Sequence, residues 1–270
     1  MHSKLYNMLT EQQNQINLLS DELTKLIEIN QKLISQNELL QKQNEQIKDT
    51  VIDSNQKLYR GDWEIHQNLK QYLYQECGLS SARYILKHMN NVPAFNVTLD
   101  ILSYAMEKRM ADGLILEFGV YSGTTINHIS SLCDQTVYGF DSFEGLPEDW
   151  RSGFEKGTFE VPELPKTNNN VTLVKGWFDS TLPAFVEEHS EKVSLLHIDC
   201  DLYSSTKCIF DCLKNQIVPG TIIVFDEYFN YPGWEEGEYK AFQEFIAESN
   251  FSYEYIGYVE IMEQVAVRII

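Results

Sequence analysis

The chain has 270 residues, 43% hydrophobic and 12% aromatic, with 40 acidic against 21 basic side chains. That length and apolar content exclude an intrinsically disordered chain and leave room for a full core plus an accessory segment. The formal charge of -19 excludes a phosphate-tracking nucleic-acid surface, which needs clustered Lys and Arg, and favours an acceptor that is neutral, cationic or metal-bridged.

Residues 1–60 contain no Gly and no Pro, and apolar residues recur at a 3–4 spacing from Leu5 and Leu9 through Ile16, Leu19, Leu23, Leu26, Leu33, Leu40, Ile47, Val51 and Leu58. This is a heptad repeat with Leu19, Leu26, Leu33 and Leu40 at d and Asn30, Asn37 and Asn44 at a. Asn at a pairs across the seam only when strands are in register, so the pattern predicts a parallel coiled-coil homodimer. A single helix lying on the following domain is the alternative. Only -1 of the charge falls here, from 7 basic and 8 acidic residues, so -18 lies in residues 61–270.

Gly61 marks the change to residues 61–112, an aromatic-rich helical segment (63–74, 80–89, 96–110) punctuated by Pro93. From residue 113 to 270 strands and helices alternate. The strands are expected at 114–116, 136–140, 171–174, 193–198 and 221–225, with helices from 125, from 205 and over 236–248. Apolar runs of this length separated by helices read as a parallel sheet buried on both faces. Residues 253–258 and 265–270 would close it as an antiparallel hairpin. Five cysteines without a CxxC pair read as reduced thiols of a cytoplasmic protein, and no apolar stretch reaches the roughly 18 residues of a membrane span.

Two of the apolar runs end in paired acids. One delivers Asp199 and Asp201 and the other Asp226 and Glu227, which places up to four carboxylates at one sheet edge. Ligands of open α/β sheets sit outside the carboxyl ends of the strands, and such a group suits a hard divalent cation, acid/base work, or both. A cap or turn is the other reading of Asp226-Glu227, and a solvated loop acid that of Asp201. His197, inside an apolar strand, reads as a core imidazole. Tyr228, Phe229, Tyr231 and Trp234 are either an acceptor wall or packing, and the long acidic segment 143–170 reads as a lid.

The first strand runs through Glu117 into a turn with Gly119, Tyr121, Ser122 and Gly123, and the second ends at Asp141, 22 residues beyond Gly119. That distance is close to the spacing of a ribose-binding acid, about 20 residues. The G-x-G-x-x-G spacing of a dinucleotide site is missing. A carboxylate at Glu117 would repel a pyrophosphate, so the cationic, phosphate-free S-adenosylmethionine (SAM) fits better than NAD.

The stretches LEFGVYSGTT (116–125), YGFDSFEGLPEDW (138–150), LLHIDCDLYSST (195–206) and PGTIIVFDEYFNYPGW (219–234) resemble the macrocin O-methyltransferase (TylF/MycF-like) family of class I methyltransferases, over about residues 80–270. The resemblance implies a Rossmann-like seven-stranded sheet with helices on both faces, SAM as methyl donor and magnesium-dependent transfer to a sugar hydroxyl of a glycan, nucleotide sugar or glycosylated natural product. It implies Glu117, Gly119, Tyr121, Ser122 and Gly123 at the methionine end of the donor, Asp141 and Ser142 at the ribose, and Gly176, Trp177 and Phe178 near the adenine. Asp199, Asp226 and Glu227 would be the metal ligands, with Asp199 or Asp201 as general base. The pair Asp226-Glu227 departs from the two aspartates of better-known members; Glu ligates magnesium with a longer reach. Residues 113–270 would then be the SAM-dependent methyltransferase domain, residues 61–112 an acceptor-side cap, and residues 1–60 a coiled coil pairing protomers or tethering a glycan-assembly partner. Rival readings are transfer to a catechol-like diol and a catalytically inactive methyltransferase-fold module.

Overall fold

The computed structural model describes residues 2–270, with the side chains of 2–7, 13–14, 16 and 54–67 outside the description. The chain divides into two compact units, Met1–Leu69 and Lys70–Ile270. In the first, α1 (His2–Gln67) is one continuous helix. Gly61, where the composition changes, does not interrupt it, because one Gly costs a helix interior only about 1 kcal/mol. The described members of the predicted seam lie open along it, Leu19 at 63% exposure and Leu33 at 50%. Leu5, Ile16 and Leu58 of that seam fall outside the described side chains.

The second unit contains α2 (Leu69–His88), β1 (Ala94–Phe95), α3 (Thr98–Lys108), β2 (Leu114–Phe118), α4 (Thr124–Ser131), β3 (Val137–Asp141), β4 (Val171–Lys175), α5 (Phe178–Glu188), β5 (Val193–Ile198), α6 (Tyr203–Leu213), β6 (Ile222–Phe225), a 3-10 turn (Trp234–Glu236), α7 (Glu238–Glu248), β7 (Tyr253–Val259) and β8 (Val265–Ile269). One sheet takes all the strands, in the order β1-β7-β8-β6-β5-β2-β3-β4. It has eight strands where seven were expected. The added one is β1, which pairs in parallel with β7 through Ala94 and Phe95, a length too short for any periodicity to announce. The predicted hairpin is present, with β8 antiparallel to both β7 and β6.

Every residue of β2, β5 and β6 is buried, as near-continuous apolar runs require of strands covered on both faces. Successive side chains enter opposite layers. Leu116, Phe118, Leu196 and Ile198 join one apolar cluster, and Ile115, Val137, Leu195 and Val224 the other. The chain order turns in opposite directions on either side of β2 and β5, which opens a crevice beyond their carboxyl ends.

Candidate active site

The crevice is a cavity of about 500 Å³ lined from the carboxyl ends of β2, β3, β5 and β6. Among the predicted residues it brings together Gly119, Tyr121, Asp141, Ser142, Trp177, Phe178, Asp199, Asp201, Asp226 and Glu227. Glu117, Ser122, Gly123 and Gly176 do not line it. None of the described residues 70–112 is among its lining residues either. A further part of the lining comes from segment 143–170, through Trp150, Arg151, Phe154 and Phe159. Tyr228, Phe229, Tyr231 and Trp234 are buried in the core instead, which settles their alternative as packing.

The turn after β2 is held from β3. Asp141 Oδ2 accepts the backbone N–H groups of Val120 and Tyr121 at 2.8 and 2.9 Å, and Oδ1 accepts that of Phe143 at 2.7 Å. A carboxylate offers about four acceptor sites, so the protein itself occupies three and leaves one on Oδ1. Gly119, at φ +94°, runs so close to β5 that a Cβ would fall on the carbonyl of Asp199. Tyr121 is left-handed at φ 45°, and its ring meets Phe159 edge-on at 5.5 Å. Glu117 is fully buried, accepting from Thr125 Oγ1 at 3.1 Å and from His197 Nδ1 at 2.9 Å. It stands behind the lining rather than in it, paired in register with His197 on β5.

The acids gather around the β5 and β6 ends. Asp199 N donates to Phe118 O and Asp226 N to Ile198 O, which continues the ladder into the site and fixes the backbone from which both carboxylates project. Asp201 is left-handed at φ 65°, a conformation Asp tolerates better than most residues. Burial, reinforced by the charge of Asp226, raises the carboxyls of Asp199 and Glu227 well above their ordinary range and brings Asp201 to about 7. Glu238, at the start of α7, is pushed up by burial and by Asp201; it accepts from Glu227 N at 3.3 Å. Burial opposes charge on His197, but Asp226 and Glu117 outweigh it and hold the imidazole well above its usual value. Burial would raise Asp226 too, yet the facing imidazole holds it below the carboxylate range.

These shifts describe a cluster short of positive charge. Glu227 Oε2 and His197 Nε2 are both buried without a hydrogen-bond partner. Ligand atoms of His197, Asp199 and Asp226 lie within 4.8 Å of one another. A divalent cation fits this set, since it would satisfy the orphaned His197 Nε2 and relieve the repulsion; Glu227, expected as a third carboxylate ligand, lies outside the group.

Sequence reasoning set His197 aside and did not single out Trp150, Arg151, Phe154 or Phe159. His197 stands two residues before Asp199, hence on the same face of β5, and that period was the available signal. Arg151 Cζ lies 3.8 Å from the Trp150 ring centre and its Nη1 bonds Glu263 Oε1 at 3.1 Å; no periodicity points to either contact.

Residues 116–228 match the family described as a methyltransferase domain. The chain is 28% identical over 158 residues to an 8-demethyl-8-(2,3-dimethoxy-alpha-L-rhamnosyl)-tetracenomycin-C 4'-O-methyltransferase of Streptomyces olivaceus, covering 48% of this chain and 59% of that protein. It is 26% identical over 156 residues to a demethyldecarbamoylnovobiocin O-methyltransferase of Streptomyces niveus, covering 48% and 58%. The match thus spans a little over half the length of these curated relatives. The structure is similar to that of CalS11, a calicheamicin methyltransferase, with a TM-score of 0.50 and 22% identity over 63% of this chain and 77% of that one. Among the described residues no helix is long and apolar enough to cross a membrane. The fold is therefore class I methyltransferase-like, an α/β architecture on a mixed eight-stranded sheet, within which residues 116–228 match the methyltransferase-domain family.

Proposed function

We propose that the chain is a SAM-dependent O-methyltransferase acting on a sugar hydroxyl of a glycosylated natural product, nucleotide sugar or glycan. The observation that carries this reading is a single cavity shared by the Asp141-held turn, Trp177 and Phe178 on one side and the carboxylates of Asp199, Asp201, Asp226 and Glu227 on the other. The first curated relative methylates a rhamnosyl-bearing tetracenomycin by name, which supports a sugar acceptor here. The resemblance to the TylF/MycF-like family points the same way.

The donor would lie along the β2 turn. Gly119 lets the backbone approach, Asp141 keeps that backbone in place and offers its free Oδ1 site to a ribose hydroxyl, and Trp177 and Phe178 flank the adenine. Asp199, Asp226 and Glu227 would hold a divalent cation, magnesium in the family resembled. Such an ion lowers the pKa of a coordinated hydroxyl and fixes its oxygen. Asp201, which lines the cavity outside the His197–Asp199–Asp226 group, or Asp199 would accept the hydroxyl proton. Trp150, Phe154 and Phe159 give the acceptor an apolar wall on which a sugar ring stacks and from which water is excluded. We further propose that α1 forms a parallel homodimer or tethers a glycan-assembly partner, in a cytoplasmic protein.

Calorimetric titration of SAM, with NAD as control, followed by transfer of labelled methyl to a panel of rhamnosides, nucleotide deoxysugars and catechols, tests the reading. SAM binding with turnover of a sugar, abolished by Asp199→Asn, is the expected result. Turnover of catechols alone removes the sugar acceptor, and absence of SAM binding removes the enzyme.

A further inference from the structure

A cation held by carboxylates alone would leave His197 Nε2 unsatisfied. This atom is fully buried, has no hydrogen-bond partner, and faces Asp226 Oδ1 at 3.9 Å. That separation is too long for a hydrogen bond. It is also within the span of two metal–ligand bonds of about 2.0–2.2 Å each that meet at one ion. Asp199, two residues along the same strand face, brings a third ligand atom into the same 4.8 Å group.

The other side of the ring is arranged as a metal-binding histidine requires. Nδ1 meets Glu117 Oε2 at 2.9 Å, and Thr125 Oγ1 holds the second oxygen of Glu117 at 3.1 Å. A carboxylate accepting the Nδ1 proton fixes the ring and aims Nε2 at the cluster, the usual outer support of an imidazole ligand, and a bound metal would take the place of any Nε2 proton. A merely structural histidine in a dry core would have both nitrogens satisfied, whereas here only one is. The carboxylate of Glu117, taken wholly out of water, likewise gains from positive charge held beyond the ring.

We infer that His197 Nε2 is a metal ligand alongside Asp199 and Asp226, so that the centre is a mixed nitrogen–oxygen site selecting a first-row transition dication over magnesium. Magnesium favours all-oxygen sets. Imidazole nitrogen favours the later divalent metals, and the order of affinities rises from manganese toward copper. The inference rests on the cation-site reading and is independent of methyl transfer.

The test uses the full chain, stripped of metal, with Co2+ and Mg2+ as probes. Calorimetry is expected to give Co2+ an affinity on the order of 100-fold above that of Mg2+. His197→Gln should lower Co2+ affinity by about 10- to 100-fold and leave Mg2+ nearly unchanged. Because a substitution at so buried a site can disturb folding, the deciding readout is made on the native chain. Proton NMR of the Co2+-loaded protein should show a solvent-exchangeable imidazole Nδ1–H resonance far outside the diamagnetic range. Co2+ binding without that resonance, or equal losses for both metals in a folded His197→Gln, overturns the histidine ligand and leaves the carboxylate site standing. Binding of neither metal by the native chain overturns both. SAM titration of the same metal-free sample reports on the methyltransferase reading separately.

Discussion

Arg151 joins Glu263 through one guanidinium nitrogen, Nη1, at 3.1 Å to Oε1 and 3.2 Å to Oε2, which ties segment 143–170 to the turn between β7 and β8. The same guanidinium lies 3.8 Å from the centre of the Trp150 ring, 4.9 Å from that of Tyr231 and 5.1 Å from that of Phe154. Both charged side chains are about four-fifths covered, so this is not a solvated surface pair.

Arg151→Ala should therefore cost about 2 kcal/mol of stability, and Arg151→Lys should recover little of it because a compact ammonium replaces the broad guanidinium that packs among the three rings. The loss should also grow with pH. Burial raises the Glu263 carboxyl above its ordinary value while Arg151 opposes that rise, so removing Arg151 raises it further. Above the ordinary carboxylate range the folded variant then holds a proton that the unfolded chain has released, and stability falls as pH rises through that window. Thermal melts of native and variant protein at pH 5 and pH 8 check this: the gap in melting temperature should be wider at pH 8.

Gly119→Ala should cost at least about 3 kcal/mol, because φ +94° is hostile to a side chain and the new Cβ would fall on a backbone carbonyl that cannot yield. Gly123→Ala is the control. Its φ of +81° is also left-handed, but the nearest atom is Pro165 Cβ at 3.1 Å, a side chain able to give way. A loss nearer 1 kcal/mol is expected there. Denaturant unfolding of the two variants gives the comparison, and equal losses would mean that the contact between the β2 turn and Asp199 is not tight.

Asp141 separates two roles that the sequence does not distinguish. A ribose ligand alone would cost donor affinity when changed to Asn and nothing in stability. The structure has this carboxylate accepting three backbone N–H groups. An amide keeps one acceptor oxygen and turns an NH2 toward backbone donors. Asp141→Asn should therefore lower unfolding free energy by about 2–3 kcal/mol and weaken SAM binding as well, and a stability unchanged from native would contradict the bracing role.

Much of this site could be read along the chain because its parts sit at the ends of apolar runs. Leu195, Leu196 and Ile198 announce a buried strand, so Asp199 had to emerge at its carboxyl end, and Ile222 to Phe225 do the same for Asp226. What escaped depends on register or on irregular chain. His197 gains its meaning from Glu117, 80 residues earlier, and only the pairing of β2 with β5 puts them side by side. The wall residues Trp150 and Phe154 belong to a segment shaped by turns and two isolated bridges, with no period to follow. Helix α5 has Pro183 inside it, which masks the helical pattern, and β1 has two residues.

The exposed stripe of α1 carries the last prediction. Leu19, Leu26, Leu33 and Leu40 stand between 50% and 63% exposed, seven residues apart, on a helix of 66 residues that has no described core of its own. A row of this length stays in water only at considerable cost, and a heptad spacing matches a second helix of the same kind. Sedimentation equilibrium should give a dimer for the native chain and a monomer for the double variant Leu26→Asp, Leu33→Asp, while the melting of the methyltransferase fold stays unchanged. Asn37→Leu should act in the opposite direction: an apolar residue at that a position strengthens association and loosens its restriction to two strands, so species larger than a dimer should appear. A native chain that sediments as a monomer at tens of micromolar would leave the stripe to a different protein and remove the homodimer.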